Sequence, residues 1–87
     1  MDKRDILATI SNKNRYKIIH ALLEYEQLNV SEIIALTKLK QANTSRHLKI
    51  LTDKKIIKGF QKKHFVFYRI RKEFLSTHYQ LIKYLMI

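Results

Sequence analysis

Between Ser31 and Leu51 the chain reads SEIIALTKLKQANTSRHLKIL, two short amphipathic stretches with room between them for a tight turn and little else. In the second stretch Thr44, Leu48 and Leu51 fall on one side of a helical period, and Gln41, Asn43, Ser45, Arg46 and Lys49 stand around that stripe. A helix of this kind is held to its own domain by one face. The opposite face carries side chains that reach base edges and phosphates. That is the layout of a helix-turn-helix, spanning here about residues 31–54, and it implies a partner that is duplex DNA.

The distribution of charge points the same way. The chain carries a formal +11, and the stretch from Lys40 to His64 holds eight Lys and Arg against Asp53 alone. Residues 1–39 are nearly balanced, with six basic and five acidic side chains. A solvated basic face would explain the charge by itself, but its placement on and after the reading helix is the footprint of a nucleic-acid binder.

Length sets a further expectation. Eighty-seven residues make a single domain, and a chain of this size buries only about 60–65% of the surface its unfolded form exposes. With no cysteine there is neither disulfide nor thiolate metal site to compensate, so self-association is expected. No apolar run approaches the roughly 18 residues of a membrane span and no signal-peptide pattern opens the chain, which predicts a cytoplasmic protein without a membrane partner.

The remaining segments follow from periodicity. Ile6, Leu7 and Ile10 predict a short first helix, ended by the polar cluster Ser11–Asn14 that caps the next one. Ile18, Ile19, Leu22 and Leu23 bury one side of a helix over Arg15–Tyr25. Leu28–Val30 forms at most a linking strand, Ser31 stands as an N-cap, and Ile33, Ile34 and Leu36 supply the inner face of the helix that follows. From Ile56 to Ile70 the residues favour strands, interrupted at Gln61–His64, which predicts a hairpin wing with a basic tip. From Lys72 to about residue 86 the spacing of Phe74, Leu75, His78, Leu81, Ile82 and Leu85 is again helical. The expected fold is mainly α with a β-hairpin wing, a winged helix-turn-helix in the order four helices, two strands, one helix.

These segments resemble the ArsR/SmtB family of winged-helix repressors. The resemblance lies in VSEIIALTKLKQANTSRHLKILTDKKII, with Ser45-Arg46-His47-Leu48 at its centre, in the closing wing strand FVFYRI, and in NRYKIIHALL; it covers about residues 12–70. It implies a homodimer clasped by the first and last helices, acting as a repressor on an imperfect inverted repeat in an operator. Many members release DNA on binding metal or on thiol oxidation, and this chain departs from them. Asn29 to Ile34 contains neither Cys nor His, and Lys72 to Ile87 supplies only Glu73 and His78. No metal site and no cofactor is therefore expected. Glycine is also missing at the end of the reading helix, where Lys55 stands, and at the wing tip, Lys62-Lys63.

Individual residues carry paired readings. Arg46 suits a guanine edge, a phosphate, or an ion pair with Asp53. Gln41 and Asn43 lie in the first turn of the reading helix, facing the groove or capping the helix. Ser45 suits a base or a phosphate, and Lys40 and Lys49 neutralise phosphates. Lys62, Lys63 and His64 meet a flanking phosphate or minor groove, or else form a solvated loop. Thr44 is a core position whose hydroxyl bonds back to the helix or a sign of a slightly rotated helix, and His47 a packed, hydrogen-bonded histidine or a DNA contact. Ile6, Leu7, Ile10, Phe74, Leu75, His78, Ile82 and Leu85 are read as core plus dimer contact, with His78 able to meet its symmetry mate.

Catalysis has no foothold. There is no cysteine nucleophile, one glycine and no paired carboxylates, and the four histidines fall on different segments without ligand spacing. Two non-repressor readings remain open: a winged helix that docks a protein partner, and an architectural DNA binder of low sequence preference.

Overall fold

A computed structural model describes residues 3–85. The first helix, α1 (Lys3–Ile10), turns Ile6, Thr9 and Ile10 inward. Asn12 then caps α2 (Lys13–Glu24), its side chain accepting from the amides of Asn14 and Arg15 at 3.0 and 3.2 Å. The Arg15 Nε donates to the Thr9 carbonyl at 2.6 Å and closes the α1–α2 corner.

A short strand, β1 (Leu28–Asn29), leads into α3 (Val30–Thr37). The cap here is Asn29, not the expected Ser31. Asn29 Oδ1 accepts from the Glu32 amide at 2.9 Å, and Glu32 Oε1 accepts in return from the Asn29 amide at 2.9 Å. This reciprocal capping box satisfies two amide donors at once, which a cap at Ser31 would not. The inner face also shifts: Ile33 is buried, Ile34 partly so, and Leu36 is 45% exposed.

After Lys38, in the left-handed region at φ 63°, the chain enters α4 (Gln41–Asp53). This helix ends in a Schellman motif. The Ile56 amide donates to the Leu51 carbonyl and the Lys55 amide to the Thr52 carbonyl, both at 3.0 Å, with Lys55 at φ 59°. Leu51 and Ile56, the two apolar residues such a motif brings together, are both fully buried.

The wing is β2 (Ile57–Lys62) and β3 (Phe65–Ile70), and the antiparallel sheet has the order β1-β3-β2. The strands run further than expected, leaving Lys63 and His64 as the turn, with Lys63 at φ 58°. The terminal segment is not one helix but two, α5 (Lys72–Thr77) and α6 (Tyr79–Leu85), broken at His78. At the break the His78 ring packs on Phe74 with centroids 4.9 Å apart, and Phe74 and Ile82 both reach the core.

The core joins Ile6 and Ile10 of α1 to Ile18, Ile19 and Leu22 of α2, Ile33, Leu48, Leu51, Ile57 and Ile70. Each buried side chain of this size contributes about 1.5–3 kcal/mol. Ile6, Ile10, Phe74 and Ile82 thus belong to the protomer's own interior. Leu7 is exposed, while Leu75 and His78 are half-buried. Leu85 ends α6, and its side chain lies outside the described residues.

Candidate nucleic-acid interface

Helix α4 is anchored along Thr44, His47, Leu48 and Leu51, all buried. Thr44 Oγ1 donates to the Lys40 carbonyl at 3.0 Å, so a hydroxyl sits in the core without an unmet bond. His47 has no such partner. Its ring is 4% exposed, neither nitrogen is hydrogen-bonded, and burial, with Arg46 and Arg15 nearby, holds its pKa below the ordinary value of 6.5. The expected packed histidine is present, but it is unbonded.

The opposite face is open to solvent. Gln41, Ser45, Arg46 and Lys49 are exposed, and Asn43 is half-buried. The N-cap residue is Lys40, which gives no side-chain hydrogen bond, so Asn43 does not cap the helix. The first-turn amides are thereby left without a side-chain acceptor. Together with the helix dipole they make this end of α4 attractive to a phosphate.

Of the readings open for Arg46, the ion pair with Asp53 is not formed. Asp53 is held by Lys49, Nζ to Oδ2 3.1 Å, rather than by Arg46. Arg46 extends toward Asn43, its Nη2 3.4 Å from Oδ1, a long contact that restrains the guanidinium weakly.

Between α4 and the wing lies an open cleft of about 460 Å³, lined by Ser45, Lys49, Gly59, Gln61, Val66 and Tyr68 among others. Glycine at 59 lets the Tyr68 ring lie close, since a Cβ there would stand 3.1 Å from Tyr68 Cε1. At the tip Lys62, Lys63 and His64 are exposed. Lys62 leaves the tip's outline, its Nζ standing 5.9 Å from the centroid of the Phe67 ring. The fold therefore brings Lys40, Gln41, Asn43, Ser45, Arg46 and Lys49 together on one helix, and sets Lys62, Lys63 and His64 apart on the wing. The sequence reading gives no site role to Lys58, Arg69 or the wing phenylalanines, which it takes as part of the basic run and of the strands; the alternation Lys58, Phe60, Lys62 is the available signal.

The sequence pattern of the bacterial regulatory protein arsR family matches residues 12–58, more than half of the chain and the span that contains α2, α3 and α4. This chain belongs to the ArsR family. It is 38% identical over 47 residues to the transcriptional repressor PagR of Bacillus anthracis, covering 54% of this chain and 48% of that protein. The match thus spans about half the length of that relative. The crystal structure of PagR superposes with a TM-score of 0.75 at 28% identity, covering 90% of each chain. HlyU of Vibrio cholerae gives a TM-score of 0.75 at 25% identity over 95% of this chain and 96% of that one. HlyU of Vibrio vulnificus, at 24% identity and a TM-score of 0.77 over 94% of this chain and 84% of that one, shares the fold. PagR and the Vibrio vulnificus HlyU are named as transcriptional regulators, and this chain, as a member of the arsR family of bacterial regulatory proteins, is a transcriptional regulator with the winged-helix fold.

Among the described residues, no group of His, Cys, Asp and Glu could hold a metal ion. No helix among them is long and apolar enough to cross a membrane.

Proposed function

We propose that this regulator is a homodimeric repressor that reads an imperfect inverted repeat in duplex DNA with α4. One observation carries the reading: the residues that anchor α4 are buried, while Gln41, Ser45, Arg46 and Lys49 stand exposed on it beside an uncapped N-terminus. PagR, a repressor by name, supports the sign of regulation. Arg46 hydrogen-bonds a base edge, Gln41 and Ser45 reach bases or the near phosphates, and Lys40, Asn43 and Lys49 hold the backbone. Lys62, Lys63 and His64 follow the flanking strand.

The dimer is clasped by α1 and the terminal helices through residues that the protomer leaves outside its core. Leu7, Tyr79 and Tyr84 are exposed there, and Leu75 and Leu81, though packed against the core on one side, are only half-buried. Two reading helices then meet half-sites one turn apart, about 34 Å. Such a repressor works in the cytoplasm, where its operator is.

Selection of duplexes from a random pool, followed by gel-shift titration, tests the reading. The selected fragments should share an inverted repeat, and Arg46→Ala should lose about 1–3 kcal/mol of discrimination at one position of each half-site. Equal affinity of parent and variant for selected and scrambled duplexes would remove α4 as the reading element.

A further inference from the structure

The two faces of the wing are chemically different surfaces. The register pairs Lys58 with Arg69, Phe60 with Phe67 and Lys62 with Phe65, so these six side chains share one face of the hairpin. The other face is already occupied: Ile57 and Ile70 are in the core, and Gly59, Gln61, Val66 and Tyr68 line the cleft against α4, a lining that Phe60 also joins. Of the six, Lys58, Lys62 and Phe65 are exposed, and Phe60, Phe67 and Arg69 are half-buried. None of the three phenylalanines belongs to the core cluster, and Phe65 is 56% exposed. Phe60 and Phe67 stack with centroids 6.1 Å apart and planes inclined by 24°, and Lys62 stands over the Phe67 ring.

Rings alone would suit an apolar partner, but here they alternate with cations. The positive charge continues past Arg69 into a neighbouring hollow with Arg71 and Lys72. The acid there, Glu73, lies 3.5 Å from Arg71, and its pKa is lowered by its own backbone hydrogen bond and by Arg71, Lys58 and Lys72. A second copy presenting the same face would set like charges against like. A duplex satisfies the cations and leaves the rings idle, because its bases are stacked on one another. A single strand satisfies both, with phosphates on the cations and unstacked bases on the rings. Alternate residues of a strand are roughly 6.7 Å apart, a spacing comparable to one nucleotide of an extended chain.

We infer that the outer face of the wing binds single-stranded nucleic acid, stacking bases on Phe60, Phe65 and Phe67 and holding phosphates with Lys58, Lys62 and Arg69. None of these six residues belongs to α4, and five of them stand clear of the cleft it lines, so the site does not rest on duplex reading by Arg46. Sequence preference there is low, since every base has a face to stack.

The test uses the full chain and a fluorescent oligothymidylate, followed by anisotropy at low salt. The parent binds. Phe65→Ala, at an exposed position outside the core, weakens binding about fivefold or more, while duplex affinity is unchanged. Lys58→Ala, which has no part in duplex reading, reduces the log–log salt slope by about 0.7. Phe65→Trp retains binding, and its emission is quenched as thymine stacks on it. Arg46→Ala leaves oligothymidylate affinity where it was, so failure of this site and failure of duplex reading register separately. Unchanged affinity in Phe65→Ala, or Phe65→Trp emission indifferent to saturating oligonucleotide, overturns the proposal. So does a dimer that Phe65→Ala dissociates without altering oligonucleotide binding, which assigns the face to a second copy.

Discussion

Lys54 Nζ lies 3.2 Å from both carboxylate oxygens of Asp5, forty-nine residues earlier in the chain. The pair ties α1 to the C-cap residue of α4, and so links the N-terminal helix to the proposed reading helix. Both side chains keep contact with solvent, at 35% and 48% exposure, and water screens their attraction.

Lys54→Met should therefore cost less than about 1 kcal/mol of stability in urea unfolding, with the cost shrinking as salt is raised. A loss several times larger would mean that the bridge holds α1 in place and does not merely decorate it.

Lys55 offers a larger effect of opposite sign. It occupies the left-handed position of the Schellman motif at φ 59°, where a side chain crowds the following carbonyl. Lys55→Gly keeps both hydrogen bonds of the motif and relieves that crowding. Stability should rise by about 1 kcal/mol, seen as a higher urea midpoint at unchanged slope. An unaltered or lower midpoint would show that the lost β-carbon contributes packing that the geometry does not reveal.

Much of this was legible in the sequence, for identifiable reasons. The reading helix announced itself because Thr44, Leu48 and Leu51 recur at helical spacing, and Asn12 because a polar cluster separates two apolar periods. Asn29 was legible too, with Glu32 three residues on, but Ser31 is an equally good cap by residue type. The break at His78 was hidden, since neither proline nor glycine marks it. Ile6, Ile10, Phe74 and Ile82 were ambiguous because a stripe on a short helix looks alike whether it faces its own core or a partner. The outer wing ladder depended on register: the alternation is visible within each strand, but pairing Phe60 with Phe67 requires knowing where the turn falls. The exposed face of α4 was readable residue by residue, whereas the preference of Asp53 for Lys49 over Arg46 was a matter of side-chain geometry.

His47 makes stability depend on pH. Its folded pKa is lowered, by burial first and then by Arg46 and Arg15. The unfolded chain takes up a proton near the ordinary value of 6.5, while the folded chain resists it. Below that value the unfolded state binds more protons, so stability is full above about pH 6.5 and falls as pH drops toward the depressed folded value. Melting temperatures followed by circular dichroism from about pH 7.5 to about pH 5 should decline. His47→Leu should flatten this dependence and cost nothing at neutral pH, because it removes two buried nitrogens that have no partners. Parallel pH profiles for parent and variant would exclude His47 as the source.

Asp53 is the acidic residue facing the cationic run, and it engages Lys49 at 3.1 Å on a surface where the two side chains are 61% and 77% exposed. An exposed pair of this kind stabilises the helix by at most a few tenths of a kcal/mol, about 0.3–0.5. Its cost to DNA binding is greater, since Lys49 must leave a carboxylate before it can neutralise a phosphate, and the carboxylate itself repels the backbone. Asp53→Asn should therefore bind duplex more tightly at low salt with almost unchanged stability. Lys49→Ala should bind less tightly and reduce the log–log salt slope by about 0.9, the value of one phosphate contact on a duplex. In the double variant Lys49→Ala with Asp53→Asn, the gain from Asp53→Asn should shrink to the repulsion term alone. Should the two changes simply add in the gel-shift titration, Lys49 does not meet a phosphate and α4 is seated in the groove by its N-terminal half.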